Sequence, residues 1–237
     1  MRPWRGPTET EGWKALWVYY VLTGYFVSTN ASVQTPEDLA GARLGLGRAT
    51  QTHWSVFPRL FLEEGYGLEL SRVDNLGPSE AMRAMLDGVV DAAIVSDSFT
   101  FDFTERRAPG SMMELESSGR DFHYVTHADH DAIERLNDRM GSSFLKVTIP
   151  AGAMAGLDEP LETYGDPAII YAHEDFPEEV AYELVKFMME NGEALQSHHS
   201  SWALTNEATW VAGQTADSLH PGALRAYREA GIEVAEE

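Results

Sequence analysis

Cysteine is absent from the 237 residues. That excludes disulfides, thiolate metal sites and cysteine nucleophiles, and leaves the redox compartment open. Positive charge is scarce: Lys and Arg number 17 against 38 Asp and Glu, a net charge of −21. A protein that tracks nucleic-acid phosphates carries a basic stripe, so no nucleic-acid partner is expected. No apolar run reaches the roughly 18 to 20 residues of a spanning helix. Low-complexity tracts and blocks of like charge are missing as well, and a 43% hydrophobic, 11% aromatic chain of this length builds one large or two modest globular domains. The only lysines are Lys14, Lys146 and Lys186. This fits adaptation to high salt, and equally an arginine-favouring genome with an ordinary acidic surface; both readings stand.

Several chemistry-bearing motifs are also absent: GxGxxG, GxxxxGK[ST], GxSxG, HExxH and the DxDxDG calcium loop. No cofactor is expected, and an enzyme would need its groups assembled from far apart. Asp87, Asp91, Asp97 and Asp102 fall near strand ends, where paired carboxylates do acid–base work, but solvated acids are the expectation in so acidic a chain. His123, His127 and His130 with Asp129 and Asp131 do not make a metal site. His123 falls on a strand, where i and i+4 lie about 13 Å apart, and the others open the next helix.

The most apolar stretch is WKALWVYYVLTGYFV, Trp13 to Val27. It is too short to span a membrane, has Thr23-Gly24 inside and no small-residue cleavage pattern after it, so no export signal is read there. Its aromatic and β-branched content predicts two buried strands around a bend at Gly24. A short helix follows, capped by Thr35 with Pro36 at its first position. Then come a strand at 42–46, a polar loop at 47–52, a helix at 54–64, a strand at 68–73, a helix at 79–86 capped by Ser79, and a buried strand at 91–95. Alternation of this kind argues for an α/β sheet with its crevice at the carboxyl ends of the strands. Further on the pattern predicts strands at 122–125, 144–149 and 168–172 and a helix at 129–139. A long helix at 177–196 should present Val180, Leu184, Phe187, Met188 and Leu195 on one face. Short helices close the chain at 206–214 and 221–230. The loop GRATQT follows a strand and precedes a helix, where free amides and the helix dipole favour an anion; a plain capping loop is the alternative.

Five segments resemble the substrate-binding proteins of tripartite ATP-independent periplasmic (TRAP) transporters, in the TAXI subgroup. They are SVQTPEDLAGARLGLG (Ser32–Gly47), DGVVDAAIV (Asp87–Val95), KVTIPAGAMAG (Lys146–Gly156), FPEEVAYELVKFMMENGEAL (Phe176–Leu195) and LHPGALRAYREAGI (Leu219–Ile232), in the family's order. The resemblance implies a periplasmic-binding-protein-like α/β fold of two lobes, mixed sheets flanked by helices, with the first lobe incomplete. Residues 1–31 would be an N-terminal segment with inter-lobe strands and 32–125 the second lobe, while 126–237 would return to the first lobe and end in C-terminal helices. The implied function is extracytoplasmic capture of a small carboxylate or an amino acid such as glutamate and its delivery to a TRAP membrane permease. A truncated or degenerate scaffold acting as an interaction protein is the alternative.

The implied ligand contacts are Gly47, Arg48, Thr50, Gln51, Thr52, His53 and Trp54, then a turn of Ser96, Asp97, Ser98 and Phe99, and Tyr164. Arg48 would pair with the carboxylate, Asp97 would face an amino group, and Trp54 and Phe99 would wall the site. Nothing here matches the family's N-terminal part, with its export signal and a solute-binding loop. The protein is then longer, or a remnant, or completed by a separate chain. An exposed sheet edge predicts self-association.

Overall fold

The computed structural model describes residues 12–125 and 130–236. The expected α/β architecture, a mixed sheet flanked by helices, is the one observed. The chain divides into two compact units, Val21–Pro167 and the residues up to Tyr20 together with Ala168–Glu237. Two long strands, β1 (Trp13–Ser28) and β8 (Leu161–His173), have residues in both.

In the Val21–Pro167 unit, the remaining strands are β2 (Leu44–Leu46), β3 (Val73–Asn75), β4 (Ala92–Phe99), β5 (Arg106–Arg107), β6 (His123–Tyr124) and β7 (Leu145–Ile149). The sheet order is β3-β2-β4-β1-β8-β7, with β5 beside β4 and β6 beside β1. β2 runs parallel to β3 and β4, and β1 lies antiparallel to β4. Strand alternation sends side chains to two faces. Tyr25, Val27, Ala93, Val95 and Phe99 pack with Met82 and Met85 of α2 (Pro78–Leu86) and Met112 and Leu115 of α3 (Gly110–Ser117). On the other face, Phe26, Leu44, Leu46, Ala92 and Ile94 pack with Leu62, and Phe61 and Tyr164 pack with Ile133 and Leu136 of α4 (His130–Met140). Phe61 and Leu62 belong to α1, a continuous run of π-helical Thr52–Val56, α-helical Phe57–Leu60 and π-helical Phe61–Gly65.

The other unit packs α5 (Glu178–Glu190) against α8 (Pro221–Glu229) over Leu16, Trp17 and Ala172. Between them in sequence lie α6 (Gly192–Gln196) and α7 (Glu207–Trp210). Gly222 permits the close approach, since a Cβ there would collide with the carbonyl of Glu178. Tyr227 donates to the Leu16 carbonyl at 2.8 Å.

Several sequence expectations are corrected. There is one strand at Trp13–Ser28, not two around a bend: Thr23 and Gly24 stay in register opposite Asp97 and Ser96. Gly24 is glycine because the Tyr164 hydroxyl occupies the place of a Cβ. Ser96 to Phe99 form the end of β4 rather than a turn, paired with β1 throughout and with β5 at Ser98 and Phe99. The strand expected at 68–73 is Val73–Asn75. α2 is capped at Gly77, whose N–H donates to Glu80 at 2.6 Å, and not by Ser79. The long C-terminal helix breaks at Asn191. Its buried face is Ala181, Val185 and Met188, while Val180, Leu184 and Phe187 are exposed. His127 and Asp129 lie outside the described residues, and among those described no group of three His, Cys, Asp or Glu could hold a metal ion.

Candidate ligand-binding site

Pro58 organises the loop that the sequence singled out. Lacking an N–H, it cannot close the helical bond to the carbonyl of Trp54, and its ring crowds that carbonyl. The helix widens to π geometry over Thr52–Val56, with the Phe57 N–H reaching back to the Thr52 carbonyl. The freed Trp54 carbonyl accepts from the Gly47 N–H at 2.6 Å. This draws the loop onto the helix so closely that a Cβ on Gly47 would collide with that of Trp54. π-turns of this sort recur at functional sites.

Gln51 closes the loop from within. Its side-chain oxygen accepts from the Arg48 N–H at 2.7 Å, and its N–H donates to the Arg48 carbonyl at 2.8 Å. Arg48, Thr50 and Thr52 point outward, exposed. Among the described residues the Arg48 guanidinium has no ion-pair partner. His53 and Trp54 are half-buried in the first turn of α1, Trp54 against the cluster around Leu46 and Leu62. The loop lies at the carboxyl end of β2, beside β4, and Ser55 of the same turn donates to Asn75 at the carboxyl end of β3, at 3.3 Å.

The Ser96–Phe99 segment splits between faces. Ser96 and Ser98 share the face of Ile94, on which α1 packs, opposite Gly24 and Leu22 of β1. Asp97 and Phe99 point the other way, fully buried. The Asp97 carboxylate accepts from Arg106 Nε at 2.6 Å and from the Tyr25 hydroxyl at 2.9 Å, and Arg106 also donates to Glu116 at 2.7 Å. Burial pushes the Asp97 carboxyl up, more than the Arg106 guanidinium draws it down. Asp97 is therefore committed to an internal network and does not face the loop at Arg48. Phe99 packs on Phe103 at 5.3 Å.

Tyr164 sits on the α1 face, its ring 4.9 Å from Phe61 and 5.4 Å from Phe144. Its hydroxyl, wholly buried beside Gly24, has no hydrogen-bond partner among the described residues, and burial pushes its pKa up. Two residues on, and so on the same face, Asp166 places Oδ2 3.4 Å from His53 Nδ1. Burial pushes the Asp166 carboxyl up to about 6 and lowers the His53 imidazole. Asp166 was missed in the sequence. The available signal was its i+2 spacing from Tyr164 just ahead of Pro167.

One face of the Val21–Pro167 unit thus gathers the Gly47–Thr52 loop, the first turn of α1, Ser96, Ser98, Tyr164 and Asp166. The arrangement offers an exposed guanidinium, a half-buried carboxylate beside an imidazole, and hydroxyl donors. It contains no nucleophile aligned on a general base.

The model of the NMT1-like family matches residues 2–231. Comparison with curated protein sequences finds no match. Among solved structures, one similar protein is described as the periplasmic sulfonate-binding protein of a sulfonate ABC transporter from Methylobacillus flagellatus KT. It is 15% identical, over 81% of this chain and 42% of that one, with a TM-score of 0.35. A protein from Archaeoglobus fulgidus is 12% identical over 94% and 75%, TM-score 0.41. An extracellular-binding protein of Bacillus subtilis, described as belonging to an amino-acid ABC transporter, is 13% identical over 78% and 63%, TM-score 0.35. The chain spans under half the length of the first of these and just under two thirds of the third. At such TM-scores they stand as likenesses alone.

Proposed function

Given that the chain belongs to the NMT1-like family, we infer that it is a solute-binding protein that captures a small carboxylate or amino acid, catalyses nothing, and hands its cargo to a membrane permease. A TAXI-type TRAP system and an extracytoplasmic location are the finer form of this reading, resting on the five sequence segments. Among the described residues no helix is long and apolar enough to cross a membrane. The observation that carries the reading is the set of polar groups beside the carboxyl ends of β2, β3 and β4, where open α/β sheets bind ligands. Arg48 would hold the carboxylate, with Thr50, Thr52 and the first amides of α1 around it. Asp166 beside His53, rather than Asp97, is the acid available to an amino group. Ser96 and Ser98 supply further polar positions on the same face, while the Tyr164 hydroxyl is buried beside Gly24.

A second reading, a scaffold that kept this fold without a solute, is favoured by the loop's internal closure: the amides of Gly47, Arg48 and Gln51 already have partners inside the protein. Thermal unfolding with a panel of amino acids and carboxylates separates the two. A solute at about 100 times its Kd adds roughly 2.7 kcal/mol, a rise of about 5 to 10 °C for a chain of this size. Arg48→Ala should abolish that rise. A cooperative melt that no solute shifts leaves the second reading standing.

A further inference from the structure

The outer face of α5 carries Val180, Leu184 and Phe187 at i, i+4 and i+7, respectively 51%, 38% and 54% exposed. The inner face of the same helix, Ala181, Val185 and Met188, is buried in the core it shares with α8. α5 is therefore apolar on two sides, and its own unit covers one. Anchors at this spacing are those with which helices dock in grooves and against one another, and a contiguous apolar patch on an otherwise acidic surface marks an interaction site.

The flank of the stripe says what covers it. Glu183 and Glu190 each follow a stripe residue, Val180 and Phe187, by three positions, so both line the same side. Among the described residues neither carboxylate makes a hydrogen bond or an ion pair. Glu178 and Glu179, by contrast, are held by Arg225 at 3.0 and 2.7 Å. Lys186, the single base of α5, lies over the Tyr182 ring, 5.8 Å from its centroid. Two copies of this chain pairing antiparallel through α5 about a two-fold axis would bring the same acidic flank against itself, on a molecule of net charge −21. A complementary surface has apolar anchors bordered by positive charge. We propose that the outer face of α5 docks a basic amphipathic helix of a partner protein, with Val180, Leu184 and Phe187 as the apolar contact and Glu183 and Glu190 as its charge partners.

The probe is a synthetic amphipathic peptide with leucines at i, i+3, i+4 and i+7 and lysine flanks, compared with the same peptide bearing glutamate flanks. Binding to the whole chain is read by fluorescence anisotropy at 0.15 M salt. The lysine peptide should bind at least about tenfold tighter than the glutamate peptide. Leu184→Ser combined with Phe187→Ser should weaken it by about tenfold or more, and binding should protect the amides of Glu178–Glu190 from hydrogen exchange. Equal affinity in that double variant, with cooperative unfolding retained, would mean that net charge alone attracts the peptide, and the proposal fails. Glu183→Gln with Glu190→Gln alters no packed side chain and tests the charge contact separately; unchanged affinity there also overturns it. Light scattering that finds a dimer dissolved by the serine variant makes a second copy the occupant instead.

Discussion

At Asp166 a single side chain links stability to the candidate site. Its carboxyl titrates at about 6 because it is buried, against 3.8 for an unperturbed group. Folding thus favours its protonated form. The associated stability is fully present below pH 4 and is lost as the pH rises through 6. Asp166→Asn removes that loss while keeping the shape. It is expected to be more stable than the parent at pH 7.5 by roughly 2 to 3 kcal/mol, since each tenfold change in proton affinity is worth about 1.4 kcal/mol, with the difference closing toward pH 4. Urea unfolding at the two pH values measures it; equal stabilities at pH 7.5 would mean Asp166 is solvated there. If an amino group of the solute sits on Asp166, the same variant loses affinity. Asp97 is the contrasting acid: the resemblance has it facing an amino group, but Arg106 holds it on the opposite face of β4.

At the scale of elements, β1 and α1 each turn on one residue, a glycine and a proline, whose role only the packing shows. Gly24 reads as a bend and is instead the point where β1 admits the Tyr164 hydroxyl of β8. Gly24→Ala should force that buried ring to move, at about 1 to 3 kcal/mol, the usual range for overpacking. Gly41→Ala is the matched control. Gly41 has a φ of −93° and open space where a Cβ would go, so its substitution is expected to change stability by less than about 0.5 kcal/mol. Chemical denaturation of both variants checks the pair; equal losses would show that Tyr164 yields freely. Pro58 lies inside the helix expected at 54–64, and α1 runs through it by widening into a π-turn, and the carbonyl thereby freed anchors the Gly47 loop.

For the whole molecule, charge dominates. With a net charge of −21, repulsion among like charges disfavours the compact state, and salt near 1 M shortens the screening length to about 3 Å. The melting midpoint is therefore expected to rise by several degrees between 10 mM and 1 M KCl, as followed by circular dichroism. A midpoint independent of salt would remove the salt-adaptation reading of the scarce lysines.

Local sequence was enough for the α/β class, the strand–loop–helix at Gly47–Thr52 and the existence of most elements, because those depend on hydrophobic period, caps and turn residues that act over a few positions. Thr35 and Pro36 start their short helix where capping chemistry says they should. Which side chains meet was settled by tertiary packing. The family resemblance makes Ser96 to Phe99 a turn, but β1, and β5 at Ser98 and Phe99, pair with them as strand. His53 finds Asp166 from a strand far along the chain. Val180, Leu184 and Phe187 have the spacing of a core face, yet α8 covers the neighbouring face of α5. A periodic pattern says that a helix has an apolar side; only the packing of another element decides which apolar side is buried and which is left for a partner.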